Sequence, residues 1–234
     1  MIILQEPKLS PESNCTYLDN RQWRFEYFFA HDLNKEEMDI LLSQGWRKFG
    51  AYFFRPNCNN CHDCIPIRVC VNEFMPSKSQ RRALKKTSEI SVVFKDLEFR
   101  DEIFDIYCDH SLKRFGKIES DLEDFLTSFY SQTCPSLQSE FYLNDELIAV
   151  GFLDYGDASL SSVYFIYKDS HAYLNPGTVS IIKEIEFAKE NNFHHYYLGY
   201  WIEKNHSMAY KNNFFPNEKF NWQNKAWFKD SNND

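Results

Sequence analysis

No apolar run in this chain is long enough to cross a bilayer: the longest, such as Leu147 to Leu153, fall far short of the roughly 20 residues a spanning helix needs. The start, MIILQEPKLSPESN, lacks the basic and apolar regions of a signal peptide, and seven cysteines are an odd number for a set of disulfides. These absences predict a cytoplasmic protein in a reducing compartment, without membrane contact. Glycine is scarce, at 7 of 234 residues, and no Gly/Ser linker, internal repeat or low-complexity tract divides the chain. Net positive charge is also missing: the formal charge of −8 argues, taken alone, against a nucleic-acid partner. What is present, 43% apolar residues, suffices for one large or two small cores.

The charge is unevenly placed. Between Arg47 and Lys86 nine Lys or Arg stand against Asp63 and Glu73, a local balance of +7 that leaves −15 for the remainder. Five of those cations, Lys78, Arg81, Arg82, Lys85 and Lys86, fall in KSQRRALKK, which reads as a helix and as a surface for phosphates. A solvated helix face is the plain alternative. Residues 87–160 hold sixteen Asp or Glu against five Lys or Arg, so the acidic surface belongs to the second half. A soft boundary is expected near residues 88–97, dividing an N-terminal subdomain (1–92) with cysteine loop and basic helix from a transferase-like domain (93–234).

Cys58, Cys61 and Cys64 occupy seven residues of YFFRPNCNNCHDCIPIRV, a spacing that packing rarely needs. Pro56, Asn57, Asn59 and Asn60 favour a loop, and a thiol knuckle in a loop can chelate a metal ion. The spacing also begins like an iron–sulfur run, but the next thiol, Cys70, comes too late for that pattern. A fourth ligand would have to be Cys15, Cys70 or His62. The other reading is a set of reduced thiols filling a small loop core.

Asn34 with Glu37 marks a capping box ahead of Met38, Leu41 and Leu42, and Gly45 ends that helix. Ile90–Phe94 alternates as a strand, and Phe99 to Phe115 has helical spacing. Ser120 with Glu123 opens another helix, with Leu122, Phe125, Leu126 and Phe129 inward. From Ser139 three strands separated by Asn144-Asp145 and Gly156-Asp157 form an antiparallel meander. A helix over TVSIIKEIEFAKEN and the strand HHYYLGYW follow. Meander, helix, strand is the order of the GNAT acyltransferase core, so the expected class is α+β with a GNAT-like core behind the cysteine-containing subdomain. A coenzyme A donor would need a glycine-rich turn before the main helix, whereas KDSHAYLNPGTVS has Gly177 alone. Another acyl donor is indicated.

The order Cys15-Thr-Tyr, YFFRPNCNNCHDCIPIRV, SKSQRR, SSVY and LGYWIEKNHSMAYKNNFFPNE resembles the arginyl-tRNA–protein transferase family, most closely its short bacterial branch, the aspartate/glutamate leucyltransferases. The resemblance runs from about Cys15 to Glu218 and implies transfer of leucine from Leu-tRNA to the N-terminal Asp or Glu of proteins, marking them for degradation. Arginyl transfer by the same mechanism, a non-enzymatic zinc- or RNA-binding module and a coenzyme A acetyltransferase are the alternatives. Longer family members carry an iron–sulfur site with paired cysteines. This chain departs from it, with Leu18 where a second thiol would stand; Cys15, Cys58, Cys61 and Cys64 would be the tentative ligands of a cluster or zinc. The transfer itself requires no cofactor beyond the aminoacyl-tRNA co-substrate.

Aminolysis of an ester needs no dedicated nucleophile, because the attacking α-amine, with a pKa of about 7.7 to 8.0, is partly neutral at cytoplasmic pH. Direct transfer is favoured over a thioester on the cysteine loop. Three needs then have candidates. The tRNA phosphates would take Lys78, Arg81, Arg82, Lys85 and Lys86. The acidic acceptor side chain would take Arg55, Arg68, Lys204 or Lys211. Donors to the oxyanion or leaving hydroxyl would be Tyr164, Tyr200, Ser207 or Tyr210. Glu203, His194 and His195 are further proton carriers, although histidines on strands are more often structural.

Overall fold

The computed structural model describes residues 1–118 and 121–229, and in it the chain changes sheets at the cysteine loop. Before the loop come β1 (Ile2–Leu9), β2 (Ser13–Asn14), β3 (Gln22–Trp23), β4 (Phe25–His31), α1 (Lys35–Ser43), β5 (Arg47–Phe49) and β6 (Tyr52–Pro56). Four of these strands form a sheet of order β1-β4-β6-β5, and β2 and β3 pair separately. After the loop come β7 (Ile65–Cys70), α2 (Lys78–Lys86), β8 (Ile90–Lys95), α3 (Asp101–Phe115) and α4 (Leu122–Phe129). Then follow β9 (Ser136–Leu143), β10 (Glu146–Tyr155), β11 (Ser159–Tyr167), α5 (Pro176–Glu190), β12 (His195–Trp201), α6 (His206–Ala209), β13 (Asn217–Asn221) and β14 (Ala226–Lys229).

The second sheet has eight strands in the order β14-β13-β7-β12-β11-β10-β9-β8, and the class is mixed α+β as expected. Every neighbouring pair is antiparallel except β11 and β12, which α5 connects as a parallel crossover. Strand β7 lies between β12 and β13 in the large sheet, so strands from both sides of the expected boundary near residue 92 share one hydrogen-bonded layer.

Local signals explain the helices. Asn34 and Glu37 exchange two bonds of 2.9 Å at the start of α1, whose Met38, Leu41 and Leu42 are buried. Gly45 then turns the chain at φ +81°, a conformation that costs glycine least. Ser77 and Gln80 form the corresponding box on α2. Ser120 lies outside the described residues; among them, Asp121 caps α4 by accepting from the Asp124 amide at 3.0 Å. Phe125 of α4 is buried, whereas Leu122, expected inward, is exposed.

Helix α5 covers one face of the large sheet. Ile182, Ile185 and Ala188 pack on Leu153, Leu160, Tyr196 and Leu198, each large side chain contributing about 1.5–3 kcal/mol of burial. Helices α3 and α4 cover the other face through Ile103, Ile106 and Phe125 against Val150, Phe152 and Ile166. The meander begins at Ser136, three residues before the expected start. No described helix is long and apolar enough to cross a membrane.

Candidate active site where two parallel strands part

Strands β11 and β12 pair over only three positions, Ser159 with His195, Leu160 with Tyr196 and Ser161 with Tyr197. Beyond Ser161 they continue without pairing each other. A register shift lets Phe152 oppose Tyr164 while Leu153 opposes Ser162, so Val163 is an extra residue in β11 at the point of parting. Such a bulge leaves a backbone group outside the ladder and re-aims the strand.

Parting costs both strands hydrogen-bond partners, and two cations replace some of them. Arg47 of β5 donates from Nη1 to the Ser161 hydroxyl at 2.6 Å and from Nη2 to the Ser162 carbonyl. Lys211 donates from Nζ to the Tyr200 carbonyl at 3.1 Å. Gly199 passes beside Arg47 at φ +82°, a conformation that costs glycine least; a Cβ there would be in ordinary contact, 3.5 Å from the guanidinium.

Neither cation joins a salt bridge among the described residues; the nearby Asp154 pairs instead with Lys48 at 3.3 Å. Burial lowers the Arg47 pKa, with Tyr200 and Asp154 opposing. Burial and then repulsion by Arg47 bring Lys211 down to about 7. Two desolvated cations without a carboxylate are an unusual arrangement, because burying unpaired charge is costly. Strongly perturbed groups cluster at functional sites.

Beneath the parting lies a buried carboxylate. Glu184 of α5 is 1% exposed, accepts from Ser139 Oγ at 2.9 Å and accepts from the Tyr196 hydroxyl. The absence of a side chain at Gly151 makes room for this group: a Cβ there would stand 2.4 Å from Ser139 Oγ and 2.6 Å from Glu184 Oε1. Burial pushes the Glu184 carboxyl up to about 7.

Of the hydroxyl candidates, Tyr210 has its phenol buried within electrostatic reach of Arg114, Glu184 and Tyr167, close to Lys211. Tyr164 stacks on Phe129 at 5.3 Å, beside the bulge. The Tyr200 hydroxyl donates to the Gly45 and Phe54 carbonyls at 3.0 and 3.3 Å and ties β12 to the first sheet. Ser207 is exposed and bonds to Asn205 Oδ1 at 2.7 Å as part of the α6 cap.

Of the acceptor-binding candidates, only Lys211 stands at the parting. Arg55 is held by Glu26 at 2.8 Å and lies over Trp46. It lines a pocket of about 710 Å³ with His62, Trp222 and Trp227, but its charge is already answered there. Arg68 is held by Glu218 at 2.6 Å, by Tyr197 and by the Trp227 ring. Lys204 is exposed. Burial first, then Arg68, lowers His195 to about 4, so that strand histidine is neutral at ordinary pH.

The five cations of α2 are exposed, and Gln80, their buried neighbour, donates to the Asn213 carbonyl at 3.0 Å. That bond fixes the basic helix beside the segment carrying Tyr210 and Lys211. The four candidate thiols, all free, share one neighbourhood. Burial and then the charges of Cys58, Cys15 and Cys61 push Cys64 up to about 12, which makes it a protonated and poorly nucleophilic thiol. The donor set suits a soft metal in kind. Among the described residues, however, no three His, Cys, Asp or Glu side chains stand in metal-holding geometry.

Arg47 and Glu184 stand outside the set of site residues expected from the sequence. A carboxylate between Ile181 and Ile185 on an apolar helix stripe is the signal that marks Glu184. Arg47 carries no comparable signal.

Residues 13–82 match the family description "Arginine-tRNA-protein transferase, N terminus", and residues 102–221 match its C-terminal counterpart. An aspartate/glutamate leucyltransferase of Campylobacter jejuni is 32% identical over 215 residues, covering 88% of this chain and 89% of its own. One of Methylobacillus flagellatus is 35% identical over 209 residues, covering 88% and 84%. Among solved structures, FemX superposes with a TM-score of 0.46 at 9% identity, over 83% of this chain and 79% of that one.

Proposed function

Because this chain belongs to the arginine-tRNA-protein transferase family, we propose that it moves leucine from Leu-tRNA to the N-terminal Asp or Glu of an acceptor protein, marking that protein for degradation. The observation that carries this reading is the pair Arg47 and Lys211, desolvated at the parting of β11 and β12 and without a protein carboxylate. An acceptor aspartate or glutamate side chain supplies the missing anion, and charge-assisted bonds to it fix the adjacent α-amine.

The reaction is aminolysis of the aminoacyl ester. The nitrogen lone pair of the neutral α-amine attacks the ester carbonyl, a C–N bond forms, the C–O bond to the terminal ribose breaks, and the ribose oxygen leaves with one proton. Holding the two reactants in the parting supplies much of the rate, since positioning lowers such barriers by about 7–11 kcal/mol. The backbone amide released by the bulge at Val163 and the Tyr210 hydroxyl are the donors we assign to the developing oxyanion and the leaving oxygen. Exposed Lys78, Arg81, Arg82, Lys85 and Lys86 receive the tRNA phosphates, a role supported by the Gln80–Asn213 bond that sets α2 beside the parting.

Meander, crossover helix and parting parallel strand together support a GNAT-like core. Seven free thiols suit a reducing cytoplasm. The test is incubation with radiolabelled Leu-tRNA and peptides beginning with Asp or Ala. Label on the Asp peptide alone is expected; equal label on both would overturn the acceptor assignment. Preferential transfer from Arg-tRNA would overturn the donor assignment.

A further inference from the structure

The first sheet has one face that the core does not use. Its strands are all antiparallel, and the register sets Tyr27 and Arg47 opposite Phe54, and Phe29 and Phe49 opposite Tyr52. Alternation then places Phe25, Tyr27, Phe29, Phe49, Tyr52 and Phe54 on one face and Phe28, Ala30 and Phe53 on the other. The second set is buried in the core. The six aromatics are half-buried, and among the described residues none joins a cluster of buried apolar side chains.

The six rings form one contact network. Tyr52 lies 5.4 Å from both Phe29 and Phe54, Tyr27 lies 5.5 Å from Tyr52, and Phe25 and Phe49 lie 5.3 and 5.8 Å from Phe54. Phe54 is tilted only 19° from Phe49 and from Tyr52. No Asp or Glu stands on this face of β4, β5 or β6, and the row through Tyr27 and Phe54 has a cation at each end, exposed Lys8 of β1 and Arg47. The face reaches the parting by two routes. Arg47 itself bonds to Ser161 and Ser162 there, and Phe49 meets Phe129 of α4 at 5.8 Å, which stacks on Tyr164 beside the bulge.

A leucyl side chain is too small to need such a surface, which extends about 14 Å along β4 and about 10 Å across three strands. Closely spaced π faces, flanked by cations and free of carboxylates, suit unpaired nucleobases, because every base has a face to stack and every nucleotide a phosphate. Four-stranded sheets with aromatic faces hold two or three bases in this way. We propose that this face is a stacking platform for the single-stranded 3′ end of the donor tRNA, with the terminal ribose ester delivered past Arg47 to the parting. The inference rests on the aminoacyl-transfer reading. It divides tRNA recognition between two surfaces: the cations of α2 take phosphates whatever the pairing, and the platform takes only a strand whose bases are free.

The test is fluorescence anisotropy of a 5′-labelled RNA tetramer, ACCA, titrated with the intact protein. Tyr27→Leu and Tyr52→Leu should each weaken its binding about tenfold, whereas Tyr52→Phe, which keeps the ring, stays within about threefold of the parental Kd. In the two leucine variants the KM for Leu-tRNA rises about tenfold and that for an Asp peptide does not. Parental tetramer binding and parental Leu-tRNA KM in folded leucine variants overturn the platform and leave the transferase reading intact. A rise in the Asp-peptide KM alone overturns it in favour of a polypeptide on the same face. Should the leucine variants fail to fold, a tetramer with 4-thiouridine in place of a cytidine decides on the parental protein: photocrosslinks within residues 25–29 or 49–54 support the platform, and crosslinks confined elsewhere overturn it. If the parental protein transfers no leucine the transferase reading fails, and ring-dependent tetramer binding still supports a face for single-stranded RNA.

Discussion

The cations of α2 and those at the parting of β11 and β12 have the same formal charge but different surroundings. Lys78, Arg81, Arg82, Lys85 and Lys86 stand in water, where salt screens them within about 8–10 Å and the loss of any one is compensated by its neighbours. Arg47 and Lys211 are desolvated and bonded to carbonyls orphaned by the strand parting, and Lys211 is held down to about 7. In the proposed reading the first group attracts a polyanion over a wide surface. The second is specific for one anion, because burying a charge makes its missing partner expensive. Under the proposed function, the number of cations sets where tRNA is drawn, and desolvation sets where the acceptor is chosen.

The largest effect tests the buried pair. Lys211→Met should lower kcat/KM for an Asp peptide by about 100-fold or more and abolish the preference for Asp over Asn, since losing one partner of a buried ionic contact costs about 3 kcal/mol. The Leu-tRNA KM should stay near its parental value. Arg55→Met, which removes a cation already answered by Glu26, should change the acceptor KM by less than about threefold. Equal losses in the two variants would erase the distinction between answered and unanswered cations.

The same region predicts opposite pH dependences of stability. Glu184 rises from its ordinary 4.5 to about 7 on folding, so the native state binds its proton more tightly than the unfolded chain. That contribution is fully present below about 4.5 and is lost as pH rises to 7, an amount of about 3 kcal/mol. Lys211 falls from 10.5 to about 7, so its cost is present below 7 and is relieved as pH rises toward 10.5. Urea titrations of Glu184→Gln at pH 5 and 7 should lack the first change, and those of Lys211→Met at pH 7 and 10 the second. Parental pH dependence in both variants would show that neither group is buried as described.

Charge reversal on the exposed helix should have a smaller effect that depends on conditions. Arg81→Glu with Arg82→Glu should weaken Leu-tRNA binding about tenfold or more at 50 mM salt, with a shallower salt dependence and an unchanged melting temperature. A salt-independent loss would move these residues from phosphate attraction to the packed site.

What was legible in the chain was local. The Asn34–Glu37 box, the helix-forming run KSQRRALKK, the apolar stripe of α5 and the meander are patterns within a few residues, and each became the expected element. What was hidden depended on partners far along the chain. Arg55 and Arg68 read as free cations, but Glu26 and Glu218, 29 and 150 residues away, neutralise them. Arg47 reaches the site only because β5 meets β11 across 114 residues. The parting itself is a failure of pairing, and strands of ordinary composition do not announce where they stop pairing.

The smallest effect concerns Tyr200, which is close to the site in sequence and turned from it in space. Its hydroxyl is spent on the Gly45 and Phe54 carbonyls, whereas its backbone carbonyl, not its phenol, meets Lys211. Tyr200→Phe therefore keeps the Lys211 contact and removes only the tie between β12 and the first sheet. It should cost about 1 kcal/mol of stability, read as a lower urea midpoint, with kcat/KM for both substrates within about twofold of parental. A large loss of kcat without a stability change would place the phenol in the reaction after all. The hydroxyl would then have to leave both carbonyls when substrate binds, and the buried cations would share their task with a residue whose folded position gives no sign of it.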